Sequence, residues 1–479
     1  MSYHKWVHST KKNHTLCTAL AARLVIGMLV LIGINAGANE RPNIVIMMAD
    51  DLGYGDIGCY GSKIRTPNID QLAKDGLRLT DYYSAAPNCS PSRAGLLTGR
   101  TPSRVGIYDY IDPGSPMHLP ASEVTIAEML KPLGYATCHV GKWHLSSWVR
   151  DPDAPLESPT PGDQGFDYWF AADNNAVPSH HNPLNFIRNG VNVGKLDGYS
   201  CQLVADEGIR WLRERENKEK PFFLNVWFNE PHKKIASPPE IVETYDGLST
   251  DDALYYANVT NMDAAAGRIL ATLDELGLRE NTIVLFTSDN GPWRKGSSGP
   301  LRAKKSSLYE GGIRVPGIVR WPGHVEAGRE SSVPVGAVDV FPTLAKIVDT
   351  NLPPETVIDG QSVLPLLEGN PFARSTPLFW LFYKSTPMCV LRDGDLSLAA
   401  NPAVTYKSKS HPFDQTDFDY VKSALMERYE IYDLGNDIGQ TRNLIEEFPA
   451  AVKRLSKMMN EIHLDVVAEG PVWEGLWEK

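Results

Sequence analysis

Four short, continuously apolar runs constrain the fold of this chain more than any other feature of its sequence. None of them alternates between apolar and polar residues, and a cluster of polar residues follows each run directly. Continuous hydrophobicity is typical of strands that are covered on both faces, as in parallel sheets. The runs occupy residues 43–48, 135–140, 222–228 and 283–286.

Helical patterns lie between these runs, at residues 69–76, 126–133, 203–215 and 255–276. Strands that alternate with helices predict an α/β fold, in which a large, mostly parallel, mixed sheet is sandwiched by helices. Ligands of such sheets bind beyond the carboxyl ends of the strands. The polar clusters that follow the four runs therefore mark the expected site.

The alternation lapses after about residue 370, where the segments become shorter. Apolar segments at 378–382, 388–392 and 429–434 precede an amphipathic helical pattern at 449–463. This order predicts a smaller C-terminal antiparallel sheet with a helix packed on it. We therefore expect a main domain at residues 39–370 and a C-terminal subdomain at residues 371–479.

The N-terminal segment is typical of a secretory signal peptide at residues 1–38. Its first 23 residues carry four basic and no acidic side chains, residues 24–34 are apolar, and Ala36-Gly37-Ala38 resembles a cleavage site. The apolar stretch is too short to span a bilayer, and no later run is long enough to do so. No cysteine follows it as a lipid attachment site. We expect an exported protein, periplasmic or secreted, without a membrane anchor.

The net charge argues against two classes of partner. The whole chain carries a formal charge of −11, and without the four leader cations 43 basic residues face 58 acidic ones, which gives −15. Such a chain is not expected to bind nucleic acid or an anionic membrane surface. An acidic protein that handles an anionic ester must instead concentrate positive charge locally, at its site.

Cysteine usage singles out one residue. Six cysteines are present and Cys17 lies in the leader, so an odd number remains in an exported chain, and at least one is unpaired or modified. Cys89 precedes a predicted helix start, with Ser90 as N-cap, Pro91 at the first helical position and Gly99 at the exit. A helix start favours anions and thiolates because its backbone N–H groups are free.

Carboxylates and an amide follow two of the apolar runs. Asp50 and Asp51 come after the first run, and Asp289 and Asn290 come after the fourth. Taken singly, such residues mostly open turns. Together at the carboxyl ends of a sheet, oxygen ligands of this kind suit Ca²⁺ or Mg²⁺ rather than zinc.

The run from Cys89 to Arg100 resembles the signature of the arylsulfatase-type sulfatases, the type I family, and the chain resembles bacterial carbohydrate sulfatases among them. In that family the cysteine is oxidised after translation to formylglycine, the catalytic nucleophile. Further segments carry the same resemblance, namely 41–44, 50–53, 141–144, Pro231-His232, 288–291 and 301–316. The resemblance implies an alkaline-phosphatase-like fold, a catalytic domain at 39–370, hydrolysis of sulfate esters, and a formylglycine-generating or sulfatase-maturing enzyme as partner.

The resemblance also implies a role for each matching residue. The implied Ca²⁺ ligands are Asp50, Asp51, Asp289, Asn290 and the modified Cys89. Arg93 and Lys142 would hold the formylglycine and the sulfate, His144 would be the base, His232 would protonate the leaving oxygen, and Lys305 would clamp the sulfate. Relatives usually have Gly-Gly where this chain has Ala303-Lys304, which leaves Lys304 as the alternative clamp, but the register favours Lys305.

The segment 173–183 resembles loops of bacterial sulfatases that act on marine or host glycans. Asn174, Asn175, His180 and His181 are its candidate substrate contacts, with a polar loop of no such role as the alternative. The expected substrate is a sulfated galactose or N-acetylgalactosamine unit, with the 4-position favoured, attacked from a chain end. Two other functions stay open: a phosphate or phosphonate ester hydrolase of the same superfamily, and a catalytically silent glycan-binding protein if Cys89 is not oxidised.

Overall fold

A ten-stranded mixed sheet forms the centre of the fold. In spatial order its strands are Arg329–Ser331, Leu77–Leu79, Gly317–Arg320, Thr282–Ser288, Asn43–Ala49, Phe222–Trp227, Ala136–Lys142, Tyr168–Ala172, Ile187–Arg188 and Val191–Asn192. The computed structural model describes residues 1, 41–148, 158–404, 406 and 413–473. Residues 2–38 of the expected signal peptide lie outside the described residues. The chain from Pro42 onward groups into one compact unit. None of the helices in the described part has both the length and the apolar composition that a membrane span requires.

The strands are β1 Asn43–Ala49, β2 Leu77–Leu79, β3 Tyr82–Tyr83, β4 Ala136–Lys142, β5 Tyr168–Ala172, β6 Ile187–Arg188, β7 Val191–Asn192, β8 Phe222–Trp227, β9 Thr282–Ser288, β10 Gly317–Arg320, β11 Arg329–Ser331, β12 Val335–Gly336, β13 Leu378–Leu381, β14 Cys389–Asp393, β15 Leu396–Pro402 and β16 Met426–Asp433. The α-helices are α1 Pro67–Lys74, α2 Cys89–Thr98, α3 Ile126–Leu130, α4 Ser200–Glu214, α5 Pro239–Val242, α6 Thr250–Glu275, α7 Glu310–Ile313, α8 Val340–Ile347, α9 Leu364–Leu367, α10 Gln415–Ser423 and α11 Pro449–Glu469. Short 3₁₀ helices lie at Gly58–Tyr60, Lys131–Leu133, Pro161–Gln164, Glu243–Tyr245, Arg279–Asn281 and Ala337–Asp339.

Apolar cores cover both faces of the large sheet, as the continuous runs predict. Within β1, Ile44 and Ile46 pack into one core, and Val45 and Met47 pack into the other. Side chains of successive strand residues point to opposite faces, so a strand buried on both sides needs an apolar residue at every position. Helices α1, α4 and α6 cover one face, and α2, α3 and α8 cover the other. The predicted α/β sandwich with an alkaline-phosphatase-like architecture is confirmed.

The four predicted strands are neighbours in the centre of the sheet. β9, β1, β8 and β4 follow one another there, and every pair among these neighbours is parallel. Their carboxyl ends therefore lie at one edge. The close approach of β4 to β8 requires glycine at position 141, since a Cβ there would lie 1.8 Å from the carbonyl oxygen of Trp227.

A smaller antiparallel sheet, β13-β14-β15-β16, follows in the C-terminal part, and α11 packs against it. The strand β15 is not predicted by the sequence pattern, because its segment Leu-Ser-Leu-Ala-Ala-Asn-Pro contains no β-branched or aromatic residue. Helix α11 continues to Glu469, six residues beyond the predicted end at 463. Pairing with both neighbours holds β15 in the sheet despite its weak strand propensity.

The C-terminal helix carries a histidine that should make stability depend on pH. His463 is fully buried on α11, and neither ring nitrogen has a hydrogen-bond partner among the described residues. Burial lowers its pKa to about 4. The folded protein therefore keeps this ring neutral at a pH where the unfolded chain, with a pKa of about 6.5, already binds a proton.

We expect this histidine to cost about 2 kcal/mol of unfolding free energy at pH 5 relative to pH 8, because stability is lost as the pH falls from about 6.5 towards 4. His463→Leu should remove that part of the decline. Urea unfolding at a series of pH values measures it, with the exposed His324→Gln as control. Parallel pH profiles for wild type and His463→Leu would contradict the prediction.

Candidate active site

Cys89 is the first residue of the buried helix α2, and Asn88 is its N-cap. The prediction that Ser90 caps this helix is wrong, because the helix begins earlier and the Ser90 hydroxyl instead accepts a hydrogen bond from the backbone N–H of Ile111. Pro91 is tolerated at the third position since the first N–H groups of a helix have no intrahelical acceptor. The predicted exit at Gly99 is confirmed, in the left-handed conformation with φ of 71°.

The acidic and amide side chains after β1 and β9 meet at the sheet edge. The backbone N–H of Asp51 donates to a carboxylate oxygen of Asp289 at 3.1 Å, and the amide of Asn290 donates to Asp51 Oδ1 at 2.8 Å. Asp51 holds a left-handed conformation with φ of 66°, which is strained for a residue with a Cβ. The turn that follows β1 is thus bent towards β9, and the two polar clusters form one.

This cluster has free ligand atoms of the kind that a hard cation prefers. Asp50 Oδ1, Asp51 Oδ2 and Asn290 Oδ1 are buried and have no hydrogen-bond partner among the described residues. Ligand atoms of Asp50, Cys89 and Asp289 lie within 4.8 Å of one another. Buried oxygens without partners are costly, and a divalent cation with six to eight oxygen ligands would satisfy them. The residues present therefore fit a Ca²⁺ ion.

Three cationic side chains balance these carboxylates. Arg93 donates twice to Asp289 Oδ2, at 3.1 and 2.7 Å, and Lys142 Nζ lies 2.7 Å from Asp50 Oδ2. Lys305 Nζ lies 2.5 Å from Asp51 Oδ1 and 3.1 Å from Cys89 Sγ. Arg93 and Lys142 are fully buried, so their charges act in a low dielectric. When Asp289 is ionised, three anions face three cations and the protein part of the cluster is neutral. A divalent cation would then make it attractive to an anionic ester.

The two buried carboxylates at the centre titrate in opposite directions. Burial alone would raise the pKa of Asp50, but Lys142 and the other neighbouring cations hold it well below its usual range. Burial and the neighbouring Asp50 charge raise the pKa of Asp289 to about 7. Of these two carboxylates, Asp289 is the one whose ionised form the positive charge of a bound cation would stabilise more.

The thiol of Cys89 is not an activated nucleophile. Burial raises its pKa to about 12, with the carboxylates of Asp50 and Asp289 adding to the rise against the opposing effect of Lys142 and Lys305. The helix start at Cys89 does not overcome this penalty, contrary to the expectation that it favours a thiolate. Every cysteine in the described part of the chain is free, and none forms a disulfide. The unmodified side chain is thus protonated at neutral pH.

His144 has the geometry of a neutral base. Its Nε2 lies 3.0 Å from the carbonyl oxygen of Ile111, which can only accept, so Nε2 carries the proton and donates it. Nδ1 then bears the lone pair, and it is buried with no hydrogen-bond partner among the described residues. Burial and the cations Lys142 and Arg93 hold the pKa of this ring well below its usual range. His144 also has a positive φ, of 56°, which turns the chain at the end of β4.

His232 presents its other nitrogen to the cluster. Nδ1 donates to the carbonyl oxygen of Lys233 at 3.0 Å, and Nε2 lies 3.4 Å from Asp51 Oδ2. Burial lowers the pKa of His232 to about 4, although Asp50 and Asp51 oppose that shift. Its Nε2 is therefore a site that gains a proton only when further negative charge is placed beside it.

A cleft of about 390 Å³ opens above these groups. Four of the residues expected to be catalytic line it, together with two of the expected substrate contacts: Cys89, His144, His232, Lys305, Asn174 and Asn175. Its other lining residues were not anticipated: Asn88, Tyr110, Asp112, Lys233, Trp293 and Ser306. Trp293 could have been noticed, because it follows Gly291-Pro292 immediately after a strand-end cluster, whereas nothing in the sequence around Tyr110 marks it.

His180 and His181 do not line this cleft. His180 is fully buried, with its Nδ1 3.2 Å from the amide nitrogen of Asn258 and 3.7 Å from Glu230 Oε1. His181 is exposed and stacks on Tyr199, with ring centroids 4.7 Å apart. The structure thus separates the two halves of the segment 173–183, and of its four candidate contacts only Asn174 and Asn175 reach the cleft.

Comparison with known proteins agrees with this geometry. The family model described as Sulfatase matches residues 42–350. Arylsulfatase A of Homo sapiens is 33% identical over 495 residues, which covers 94% of this chain and 90% of that protein. N-acetylgalactosamine-6-sulfatase of Rattus norvegicus is 35% identical over 400 residues, covering 76% of this chain and 74% of that protein.

The chain belongs to the sulfatase family. It is a sulfuric ester hydrolase, as the resemblance implied. Among solved structures it is similar to Ps i-CgsB in complex with k-i-k-neocarrahexaose, with a TM-score of 0.76 and 27% identity. That match covers 91% of this chain and 95% of the other.

In this sulfatase the two adjacent lysines point to different places. Lys305 reaches Asp51 and Cys89, whereas Lys304 Nζ donates to the backbone carbonyls of Arg294 and Gly296, at 3.0 and 2.6 Å. Ala303 before them has φ of 67°, a conformation that glycine adopts without strain. The geometry therefore brings Lys305, and not Lys304, to the cluster.

Proposed function

We propose that this sulfatase hydrolyses sulfate esters of carbohydrates, using a formylglycine made from Cys89 and a Ca²⁺ ion held by Asp50, Asp51, Asp289 and Asn290. The observation that carries the proposal is the position of Cys89 Sγ. It lies 3.1 Å from the ammonium group of Lys305 and beside carboxylates with unpartnered oxygens. An oxygen nucleophile at this position would attack the ester beside cations that stabilise the ester's negative charge.

Formylglycine supplies a hydrated aldehyde with two hydroxyls on one carbon, one to attack sulfur and one to release sulfate later, while Ca²⁺ supplies a Lewis acid. Around that group, His144 accepts a proton at Nδ1, the nitrogen that its bond to Ile111 leaves free. Lys142, Lys305 and Arg93 hold the sulfuryl oxygens and stabilise the charge that develops on them. An unmodified thiol would have no second oxygen for the release step.

His232 protonates the leaving oxygen of the sugar. Its Nε2 faces Asp51 at the cleft, while Nδ1 is committed to the Lys233 carbonyl. The anionic ester adds negative charge next to this ring, which favours its protonated form over the neutral form of the free protein. Proton donation offsets the poor leaving ability of an alkoxide.

Conversion of Cys89 requires a partner enzyme, a formylglycine-generating or sulfatase-maturing enzyme. Cys89 is 3% exposed and all residues of α2 are buried, so an enzyme could not reach the thiol in the folded chain. We infer that conversion precedes folding. The signal peptide expected at residues 1–38 would then export the chain to the periplasm or the medium.

The proposed substrate is a sulfated galactose or N-acetylgalactosamine unit, with the 4-position favoured and attack from a chain end. Two relatives support a sulfated sugar by what they are named for or bind. N-acetylgalactosamine-6-sulfatase names a galacto-configured sugar, and Ps i-CgsB is in complex with k-i-k-neocarrahexaose. Asn174 and Asn175 supply amides at the cleft that can bind sugar hydroxyls.

Cys89→Ala and Cys89→Ser should lower kcat by more than about 10³-fold while the protein stays folded, because the nucleophile is lost but the surrounding groups remain. Release of sulfate from a sulfated sugar measures the first effect, and the thermal unfolding midpoint measures the second. The mass of the tryptic peptide 79–93 should lie about 18 Da below that of the cysteine form. Near-wild-type activity in Cys89→Ala would contradict the mechanism, and a peptide of unchanged mass would favour the silent binding protein.

Removal of Ca²⁺ should abolish turnover and lower the unfolding midpoint, since the ion would satisfy buried oxygens and offset repulsion among carboxylates. Ca²⁺ at about 100 times its Kd should stabilise the chelated protein by about 2.7 kcal/mol. Asp289→Asn should lose this response, whereas Asp197→Asn, a highly exposed carboxylate, should keep it. Equal midpoints with Ca²⁺ and with chelator, together with full activity of the metal-free protein, would refute the assignment.

The substrate can be tested with a panel scored by released sulfate or phosphate: galactose 4-sulfate, N-acetylgalactosamine 4- and 6-sulfates, glucosamine 6-sulfate, an aryl sulfate and an aryl phosphate. We expect kcat/KM to be highest for a galacto-configured sulfate, because its hydroxyl pattern is the one proposed to match the cleft. Faster turnover of glucosamine 6-sulfate or the aryl sulfate would overturn the sugar assignment. Faster turnover of the phosphate would favour the alternative of a phosphate or phosphonate ester hydrolase.

A further inference from the structure

The most exposed aromatic side chains of the described residues lie at the catalytic cleft. Trp293 is 40% exposed and Tyr110 is 38% exposed, and both line the cleft that contains Cys89. Large apolar surfaces left in water at one place generally mark a binding site. The two rings come from different loops, one after β9 and one between α2 and α3, so their meeting at the cleft is a product of the fold.

The backbone beneath each ring is held in place. In the turn after Trp293, the N–H of Gly296 donates to the Trp293 carbonyl at 3.0 Å, and Lys304 Nζ binds two carbonyls of the same turn. The N–H of Lys305 donates to the Pro292 carbonyl at 3.2 Å, which ties this turn to the lysine beside Cys89. Exposure of Trp293 therefore does not arise from a loosely attached loop.

Tyr110 is fixed in a comparable way. Its backbone N–H donates to the carboxylate of Asp109 at 2.8 Å, and Lys384 Nζ binds the other oxygen of that carboxylate at 2.5 Å. Burial and the nearby carboxylate of Asp112 raise the pKa of Tyr110 to about 12, so its hydroxyl stays protonated and can donate. A ligand would thus meet two rings whose backbone attachment is preorganised.

Most of the other side chains that line this cleft are polar. Asp112 and Lys233 line the same cleft, and neither forms an ion pair within the described part of the chain. Asn174 and Asn175 line it as well. A ligand with apolar faces and polar edges satisfies such a mixture, because C–H groups pack on the rings while hydroxyls bind the charged and amide groups.

We infer that Tyr110 and Trp293, the aromatic pair, bind the pyranose ring that carries the sulfate and so determine specificity for sugar sulfates. The inference rests on the proposed function, because it concerns the leaving group of that reaction. A pyranose presents axial C–H groups on its faces and hydroxyls around its rim. A sterol has no such rim, and its binding would leave Asp112, Lys233 and the asparagine amides desolvated without partners.

The test compares a sulfated sugar with inorganic sulfate, which has no ring. Calorimetry would measure the affinity of the Cys89→Ala protein, which cannot turn over, for inorganic sulfate, a steroid sulfate and three sugar sulfates: N-acetylgalactosamine 4-sulfate, N-acetylgalactosamine 6-sulfate and galactose 4-sulfate. Adding Trp293→Ala or Tyr110→Ala should weaken binding of the preferred sugar at least tenfold and change sulfate affinity less than twofold. Trp293→Phe should recover most of the loss, and Leu276→Ala, an exposed side chain outside the cleft, should have no effect.

Several outcomes would overturn the inference: unchanged sugar affinity in both alanine variants, an equal loss for sugar and sulfate, failure of the parent protein to bind any of the sugars, or tighter binding of a steroid sulfate. The outcome for the proposed function is separate. A wild-type enzyme that binds a sugar sulfate through the aromatic pair but releases no sulfate from it would contradict the proposed function for that sugar and leave the inference standing. If it turns the sugar over with an unchanged KM in Trp293→Ala, the inference fails while the function stands.

Discussion

The buried charge cluster at the carboxyl ends of β9, β1, β8 and β4 is the constraint on which the rest of this structure depends. Transferring an ion into a protein interior costs several kcal/mol, which is recovered only when partners are placed with good geometry. Here Asp50, Asp289, Arg93 and Lys142 are all fully buried, and each cation contacts a carboxylate from another element. The cluster can therefore form only when sheet and helix α2 are in their final positions, which couples site assembly to folding.

Backbone strain accompanies this arrangement. Asp51 and His144 both adopt positive φ directly after strands, at 66° and 56°, where residues with a Cβ are disfavoured. The parallel register of the strands brings their ends to one edge. If the chain continued in extended conformation after β1 and β4, the side chains of Asp51 and His144 would not turn towards the site. The two turns redirect the chain so that the Asp51 carboxylate joins the charge cluster and the His144 imidazole lines the cleft. Packing of the fully covered sheet supplies the stability that this requires.

Hydrophobic pattern and strand-end chemistry predicted the central sheet, its covered faces and the residues after β1, β4, β8 and β9, because those depend on local sequence. Features that depend on tertiary contacts were not predicted. β15 is held by pairing with both neighbours. The N-cap of α2 is Asn88, two residues before the expected Ser90, whose hydroxyl accepts a hydrogen bond from the backbone N–H of Ile111. Tyr110 was not predicted for the same reason, since long-range contacts bring its loop to the cleft, whereas the position of Trp293 just after a strand-end cluster is visible in the sequence.

The C-terminal sheet takes part in positioning the site. Arg302, three residues before Lys305, donates to the hydroxyl of Tyr432 at 2.9 Å and to the carbonyl of Gln440 at 3.1 Å. The side chain of Gln440 in turn accepts from the backbone N–H of Glu310 at 2.8 Å. The segment that carries Lys305 is thus held at both ends by residues beyond 430. The sequence pattern predicts a boundary near residue 370. The position of the Lys305 ammonium group beside Cys89 nevertheless depends on contacts from both sides of that boundary.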